Sequence, residues 1–229
     1  TNFIKKVELL EGIRNIKSLK KYIRASTPEV YGSRDDYVLP CEAFNPSTPY
    51  AISHSAIDFH IRNLGFQYNF PYIIARYANF YGPGQQLYRV IPKAIQCCIT
   101  KSKFILDGGG TSIRSFIFSA DIISSFDRLI DTNNIFSEYH FSGCEELSIY
   151  DLVANICSLM YIDFDEIVEV GPERPGKDMF YRLDCDSSHI DLGWNSSTSL
   201  DIGLQITISW IRQNIDILCK LPWSYQHSR

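Results

Sequence analysis

The run Pro71-Tyr72-Ile73-Ile74-Ala75-Arg76-Tyr77-Ala78 constrains this chain more than any other. Half of it is aromatic or β-branched, it carries one charge, and it is followed by the turn Tyr81-Gly82-Pro83-Gly84. It is too short for an ordinary helix and reads as a buried strand. A strand buried on both faces needs helices above and below it. The flanking sequence supplies them. Phe3, Ile4, Val7, Leu10, Ile13 and Ile16 recur at helical spacing over residues 2–18. Thr48-Pro49 opens a helix that should reach about Phe66, since Thr is a good N-cap and Pro fits the first turn. Residues 88–100, Asp121 to Ile130, Ser148 to Met160 and Leu200 to Leu218 also read as helices. Lys20 to Thr27, Phe104 to Leu106, Ser115 to Phe118 and Tyr139 to Phe141 read as strands. Residues 28–46 read as an irregular loop, Asp107 to Gly110 as a turn, and the stretch near 170–185 as a polar binding loop. Helices alternate with strands, so the class is α/β with a mainly parallel sheet flanked by helices.

Composition narrows function. The 229 residues are 45% hydrophobic with a net charge of -4, which gives no general nucleic-acid footprint. No run of about 18 apolar residues occurs, so no membrane span is expected, and no apolar segment follows Lys5-Lys6 to make a signal peptide. The seven cysteines contain no Cys-x-x-Cys pair, and neither Cys nor His spacing makes a metal cluster. Reduced thiols in a cytoplasmic protein, with no metal, are the expectation.

Tyr50 and His54 lie four apart on one face of the helix opened by Thr48. Thr27 and Glu29 follow a strand end, where ligand crevices form in open α/β sheets. A phenol, a hydroxyl and a carboxylate converging there would make an acid/base site. Each also has a plain reading: Tyr50 as a half-buried helix residue, Glu29 as a solvated loop charge.

Longer motifs carry more. Ala25-Ser26-Thr27-Pro28-Glu29-Val30-Tyr31-Gly32, with Asn45-Pro46-Ser47-Thr48-Pro49-Tyr50-Ala51-Ile52-Ser53, resembles the catalytic stretch of extended short-chain dehydrogenases, above all the nucleotide-sugar 4,6-dehydratases. Ala75 to Pro83, then Gly108 to Ile117 with Asp121, resemble the next landmarks of that family. Arg174-Pro175-Gly176-Lys177-Asp178, Asp184 and Leu192-Gly193-Trp194 resemble its C-terminal substrate region. The resemblance is collinear over nearly the whole chain.

It implies a partial Rossmann-like parallel sheet with a smaller C-terminal substrate-binding α/β region. Residues 1–85 would be the C-terminal part of the Rossmann-like unit. Residues 86–229 would mainly bind substrate, with segments returning to the sheet. In this family a Gly-rich GxxGxxG turn seats the dinucleotide. None occurs here, and the first three or so strands would precede Thr1.

The resemblance also assigns roles. Tyr50 would take the proton of the sugar 4-hydroxyl as hydride passes to NAD, with Thr27 bonding the same oxygen. Glu29 would remove the C5 proton in a 4,6-dehydration. Tyr50, His54 and Ala78 would contact NAD. Asn79, Lys93, Arg114 and Arg174 would contact a nucleotide-diphosphate sugar, guanidinium suiting phosphate. Plainer readings are a loop salt bridge from Arg174 to Asp178 and a solvated helix charge for Lys93. A homodimer through the helices at 2–18 and 49–66 is implied.

Two positions depart from the pattern. Pro28 stands where dehydratases carry an Asp that helps protonate the leaving 6-hydroxyl. His54 stands where the family's Lys lowers the Tyr pKa and holds ribose. Weak or pH-shifted activity follows. Glu29 favours dehydration, since a 4-epimerase needs no C5 base. A 4-epimerase and a non-catalytic nucleotide-sugar binding paralogue remain alternatives.

Overall fold

A computed structural model of the chain describes residues 2–40, 42–173 and 179–224. In chain order its elements are α1 (Asn2–Ile13), β1 (Tyr22–Ser26), a 3-10 turn (Pro28–Tyr31), α2 (Pro49–Tyr68), β2 (Tyr72–Tyr77), β3 (Asn79–Tyr81) and α3 (Val90–Thr100). There follow β4 (Phe104–Asp107), a 3-10 turn (Gly108–Gly110), β5 (Ile113–Phe118), α4 (Ser119–Asp131), β6 (Ser137–Phe141) and β7 (Glu146–Ser148). The chain continues with α5 (Ile149–Met160), α6 (Phe164–Ile167), β8 (Val168–Gly171), α7 (Asp186–Leu192) and α8 (Leu200–Leu218).

The principal sheet has the order β1-β2-β6, all parallel. Strand β2 lies at its centre and every one of its residues is buried, as its apolar run requires. Side chains alternate across it. Ile74 packs with Leu10, Ile57, Ile61 and Leu64 of α1 and α2. Ile73, Ala75 and Tyr77 pack on the other side with Leu129, Leu192 and Trp194. The sheet is therefore covered by helices on both faces. A third cluster joins Ile91, Ala94 and Ile95 of α3 to Leu152, Val153 and Ile156 of α5 and Leu204, Ile208 and Ile211 of α8. Around it lie the parallel pair β4-β8 and the mixed sheet β3-β5-β7.

Caps fix the helix starts. Thr48 Oγ1 accepts from Ala51 N at 3.1 Å, with Pro49 in the first turn of α2. Ser148 caps α5 in the same way, accepting from Asp151 N at 2.9 Å. Gly65 sits inside α2 despite its low helix propensity. A Cβ there would lie 2.4 Å from the Tyr72 ring, so the glycine lets helix and sheet approach.

The expected helix over residues 2–18 stops at Ile13. Ile16, the last residue of the apolar stripe, is 47% exposed, so no burial sustains another turn. The loop expected over 28–46 opens with the 3-10 turn at Pro28–Tyr31. Of the aromatic group after residue 71, Tyr72, Tyr77 and Tyr81 are core, as packing predicts, while Phe80 faces outward. His140 is fully buried: Tyr31 Oη lies 2.8 Å from its Nε2, and its Nδ1 is 3.1 Å from Asp184 O.

Asp121, in the first turn of α4, ties the 196–198 segment to it. Its carboxylate accepts from Ser196 Oγ, Ser197 N, Ser197 Oγ and Thr198 N at 2.8–3.2 Å. Burial pushes its carboxyl up, and these hydrogen bonds more than reverse the effect, leaving its pKa below the ordinary value. Burial likewise raises Glu138, and Arg62 and Arg76 bring it below the ordinary range. A carboxylate with a depressed folded-state pKa contributes stability that is present above its unfolded pKa and lost as pH falls through the folded one. Urea stability should accordingly hold at neutral pH and fall as pH drops below about 4. Asp121→Ala should cost about 2–3 kcal/mol at neutral pH and flatten that acid loss. An unchanged acid slope in the variant would remove Asp121 from the account.

Candidate active site

Strand β1 delivers the first part of the site. It ends at Ser26, and Thr27 then caps the 3-10 turn, its Oγ1 accepting from Glu29 N at 3.3 Å. Pro28 occupies the first turn position, where its missing N–H costs nothing. Thr27 is buried and Glu29 half-buried.

Helix α2 delivers the second part. The cap at Thr48 sets its start, so Tyr50 falls in the first turn and His54 one turn later. Their rings lie 4.3 Å apart between centroids, tilted by 36°. Tyr50 is 49% exposed. Glu29 and Arg89 act electrostatically on its phenol, and the Thr27 hydroxyl bears on it more weakly. Partial burial is the main influence raising the phenol pKa, with Glu29 adding to it. Arg89, Arg24 and Thr27 pull the other way without cancelling the rise. The four candidates Thr27, Glu29, Tyr50 and His54 thus come together at the end of β1.

Beneath them lies a buried ionic network that the sequence pattern does not announce. Asp58, four residues beyond His54 on the same face of α2, is fully buried. It accepts from Ser26 Oγ at 2.7 Å, from Arg76 Nη2 at 2.9 Å and from Arg24 Nε at 3.4 Å. Glu138 of β6 accepts from Arg76 Nη1 at 2.6 Å and takes a two-pronged bond from Arg62 at 2.6 and 2.8 Å. The strand register puts Arg24 beside Ile74 and Glu138 on the face that α2 covers. Arg24 also places Nη2 3.0 Å from His54 Nδ1. Burial lowers the His54 pKa first and Arg24 second, Lys6 adds to the fall, Asp58 opposes it, and the result is about 4. His54 is therefore neutral at pH 7.

The remaining candidates are distributed. Ala78 is buried between β2 and β3, and its N–H is taken by Phe141 O at 2.8 Å. Asn79 is half-buried at the start of β3, and Lys93 is half-buried on α3. Arg114 is buried; its guanidinium lies over the Tyr181 ring at 4.1 Å and donates to Ile113 O and Met179 O at 2.7 and 3.0 Å. Tyr181 in turn shares a narrow crevice with Pro28, Tyr31 and Gly32. The 179–183 segment is fastened there by Met179 N to Ser33 Oγ at 3.0 Å and by a bridge between Val38 and Leu183. Arg174 and Asp178, the residues of the expected loop salt bridge, lie outside the described residues. Of the missed residues, Asp58 continues the Tyr50–His54 spacing, while Arg24 and Arg89 had no sequence signal.

This arrangement matches known proteins. The model of the family described as "NAD dependent epimerase/dehydratase family" matches residues 1–141. The chain is similar to human dTDP-D-glucose 4,6-dehydratase, at 30% identity over 202 residues, covering 86% of this chain and 57% of that one. It is also similar to an Arabidopsis thaliana trifunctional enzyme whose name includes UDP-glucose 4,6-dehydratase, at 28% identity over 210 residues, 90% of this chain and 31% of the other. The chain thus spans from about a third to somewhat over half of these relatives. A solved dTDP-glucose 4,6-dehydratase from Streptomyces venezuelae with NAD bound superposes with a TM-score of 0.90 at 26% identity, over 95% of this chain and 67% of that one. A UDP-glucuronic acid 4-epimerase from Bacillus cereus shares the fold at 24% identity, with a TM-score of 0.88 over 93% of this chain and 68% of that one. With the family model covering more than half of its residues, and the parallel sheet in place, the chain belongs to the NAD dependent epimerase/dehydratase family.

Proposed function

We propose that this chain carries the reacting end of an NAD-dependent nucleotide-sugar 4,6-dehydratase. The observation that carries the reading is the convergence of Tyr50, Thr27 and Glu29 at the end of β1. Tyr50 takes the proton of the sugar 4-hydroxyl, and the Thr27 hydroxyl bonds the same oxygen and orients it. NAD, when bound, would supply the hydride acceptor for C4 and the hydride donor for C6. The new 4-keto group acidifies the C5 proton, and Glu29 removes it. Pro28 has no proton to give to the leaving 6-hydroxyl, so that step is unassisted from this position and the rate is low.

The residues fit one end of NAD. A phenol and a neutral imidazole with one free N–H suit ribose hydroxyls. Ala78 is assigned to the same cofactor end, where it could offer only its methyl, because its N–H is already used by Phe141 O. No Gly-rich turn for the pyrophosphate occurs in these 229 residues. Asn79, Lys93, Arg114 and Arg174 are assigned to the nucleotide diphosphate, Arg114 acting by holding Tyr181 in the Pro28 crevice. Residues 1–85 with β6 form the Rossmann-like part, and the α3–α5–α8 cluster forms the substrate-binding part.

The outward apolar residues Phe3, Ile4 and Leu9 of α1 and Ile52, Phe59 and Phe66 of α2 support a homodimer through these helices. The free cysteines among the described residues support a cytoplasmic location. No helix of the described residues is long and apolar enough to cross a membrane.

The test is incubation with NAD and either dTDP-glucose or UDP-glucose, read by mass spectrometry in heavy water. Dehydration removes one water from the sugar and leaves deuterium at C5. Epimerisation leaves the mass unchanged and would replace this reading. Binding of the sugar nucleotide with no change in either substrate would favour a non-catalytic paralogue.

A further inference from the structure

We propose that Arg24 is a fixed cation of this site: by donating to Nδ1 it holds His54 neutral with its one proton on Nε2, and from β1 it adds a charge that does not titrate to that of Arg89 near Tyr50. This rests on the reading of Tyr50 as the proton-transfer residue.

The argument starts from donors and acceptors. A guanidinium has only N–H groups to offer. At 3.0 Å, His54 Nδ1 must accept, and a neutral ring then carries its proton on Nε2. Protonating His54 would break this bond and set two cations together. Counting charge in the buried network gives three guanidiniums, Arg24, Arg62 and Arg76, against two carboxylates, Asp58 and Glu138. Among these five side chains one positive charge is in surplus. Glu138 is engaged by Arg62 and Arg76, and Asp58 bonds Arg76 and Ser26 at shorter distances than it bonds Arg24. Arg24 is therefore the least neutralised of the three, and it is the one that reaches His54. It is buried, so its field is poorly screened by solvent. Tyr50 feels it, together with Arg89 from the start of α3 and against Glu29 from the 3-10 turn. His54 feels Arg24 from β1, Lys6 from α1 and Asp58 from its own helix. A guanidinium keeps its charge at every pH the protein survives. The substitution of a titratable imidazole at position 54 thus leaves the site with a cation that does not titrate. Arg24 acts through His54 and through its field, as a positioning residue.

Nitrogen-15 NMR of the histidine-labelled chain tests this, with His54 assigned by its loss in His54→Asn. The expected spectrum has a bare Nδ1 and a protonated Nε2 for His54, with no titration from about pH 5 to 8. Arg24→Met should raise the His54 pKa part of the way toward its ordinary value of about 6.5, with burial still holding it below, and Arg24→Lys should restore the full suppression. Carbon-13 tyrosine labelling, with Tyr50 assigned by Tyr50→Phe, should show the phenol titrating at higher pH in Arg24→Met. Arg89→Met should raise the phenol and leave His54 unmoved. A proton on Nδ1, or ordinary titration of His54 in the unaltered chain, overturns the proposal. If Arg24→Met does not fold, the unaltered chain and Arg24→Lys decide. No sugar or NAD is present in these measurements, so a missing turnover would count against the proposed function and leave this result standing.

Discussion

Tyr50→Phe should abolish most sugar turnover, by about 10²–10⁴-fold in kcat/KM, with sugar-nucleotide binding and thermal stability almost unchanged. The phenylalanine ring can keep its place 4.3 Å from His54. Only the hydroxyl is lost, from a residue that is 49% exposed, so the effect on stability should stay within about 0.5 kcal/mol. The unaltered protein should show the counterpart in its pH profile. The phenol pKa lies above its ordinary value, so the phenolate is scarce at neutral pH. Turnover should then climb about tenfold per pH unit through the neutral and mildly alkaline range. Steady-state kinetics of dehydration against pH checks both. Turnover surviving in Tyr50→Phe, or a flat profile, would mean that another group moves the proton.

Asp58→Asn should be the most destabilising single change in this region, at about 3–5 kcal/mol by urea unfolding. The side chain keeps its size and loses its charge. Arg76, which is fully buried, then retains Glu138 alone, and Glu138 must also serve Arg62. Arg24 loses its only carboxylate among the described contacts. An uncompensated buried guanidinium cannot be hydrated without opening the packing between α2 and the sheet. Arg62→Ala makes a useful contrast: Arg62 is partly exposed and its removal leaves the buried charges more nearly balanced, so its cost should be smaller. Equal costs for the two would show that charge balance is not what stabilises the network.

Much of this fold was legible in the sequence, and the reasons are local. Thr48-Pro49 and Ser148 are caps whose hydrogen bonds need no distant partner, and α8 begins and ends where its apolar spacing does. The elements that escaped depend on their surroundings. Strands β3 and β7 have three residues each, and β8 exists by pairing with β4. Helix α7 starts at Asp186, and Cys185 before it supplies no side-chain cap. Spacing alone makes α1 too long, because Ile16 has the right period and nothing to pack against. The site shows the same division. Tyr50 and His54 share a helix face, so spacing joined them, and the family motif joined Thr27 and Glu29 to them. Arg24 sits mid-strand among Tyr22, Ile23 and Ala25, where a charge reads as solvent-facing. Only the parallel register with β2 and the cover of α2 make it a buried neighbour of His54.

That contact has a consequence for how this protein can change. The family's lysine cannot simply be put back at position 54. With Arg24 still in place, the ammonium introduced by His54→Lys would meet a guanidinium where the imidazole now accepts a hydrogen bond at 3.0 Å. Positions 24 and 54 are therefore epistatic, and their substitutions do not commute. A path that neutralises position 24 first passes through a tolerable intermediate, while the reverse order passes through a like-charge clash. A mutational scan that varies one position at a time would score His54→Lys as damaging, although lysine is the residue the family pattern calls for. The same lysine should become acceptable once position 24 is neutral.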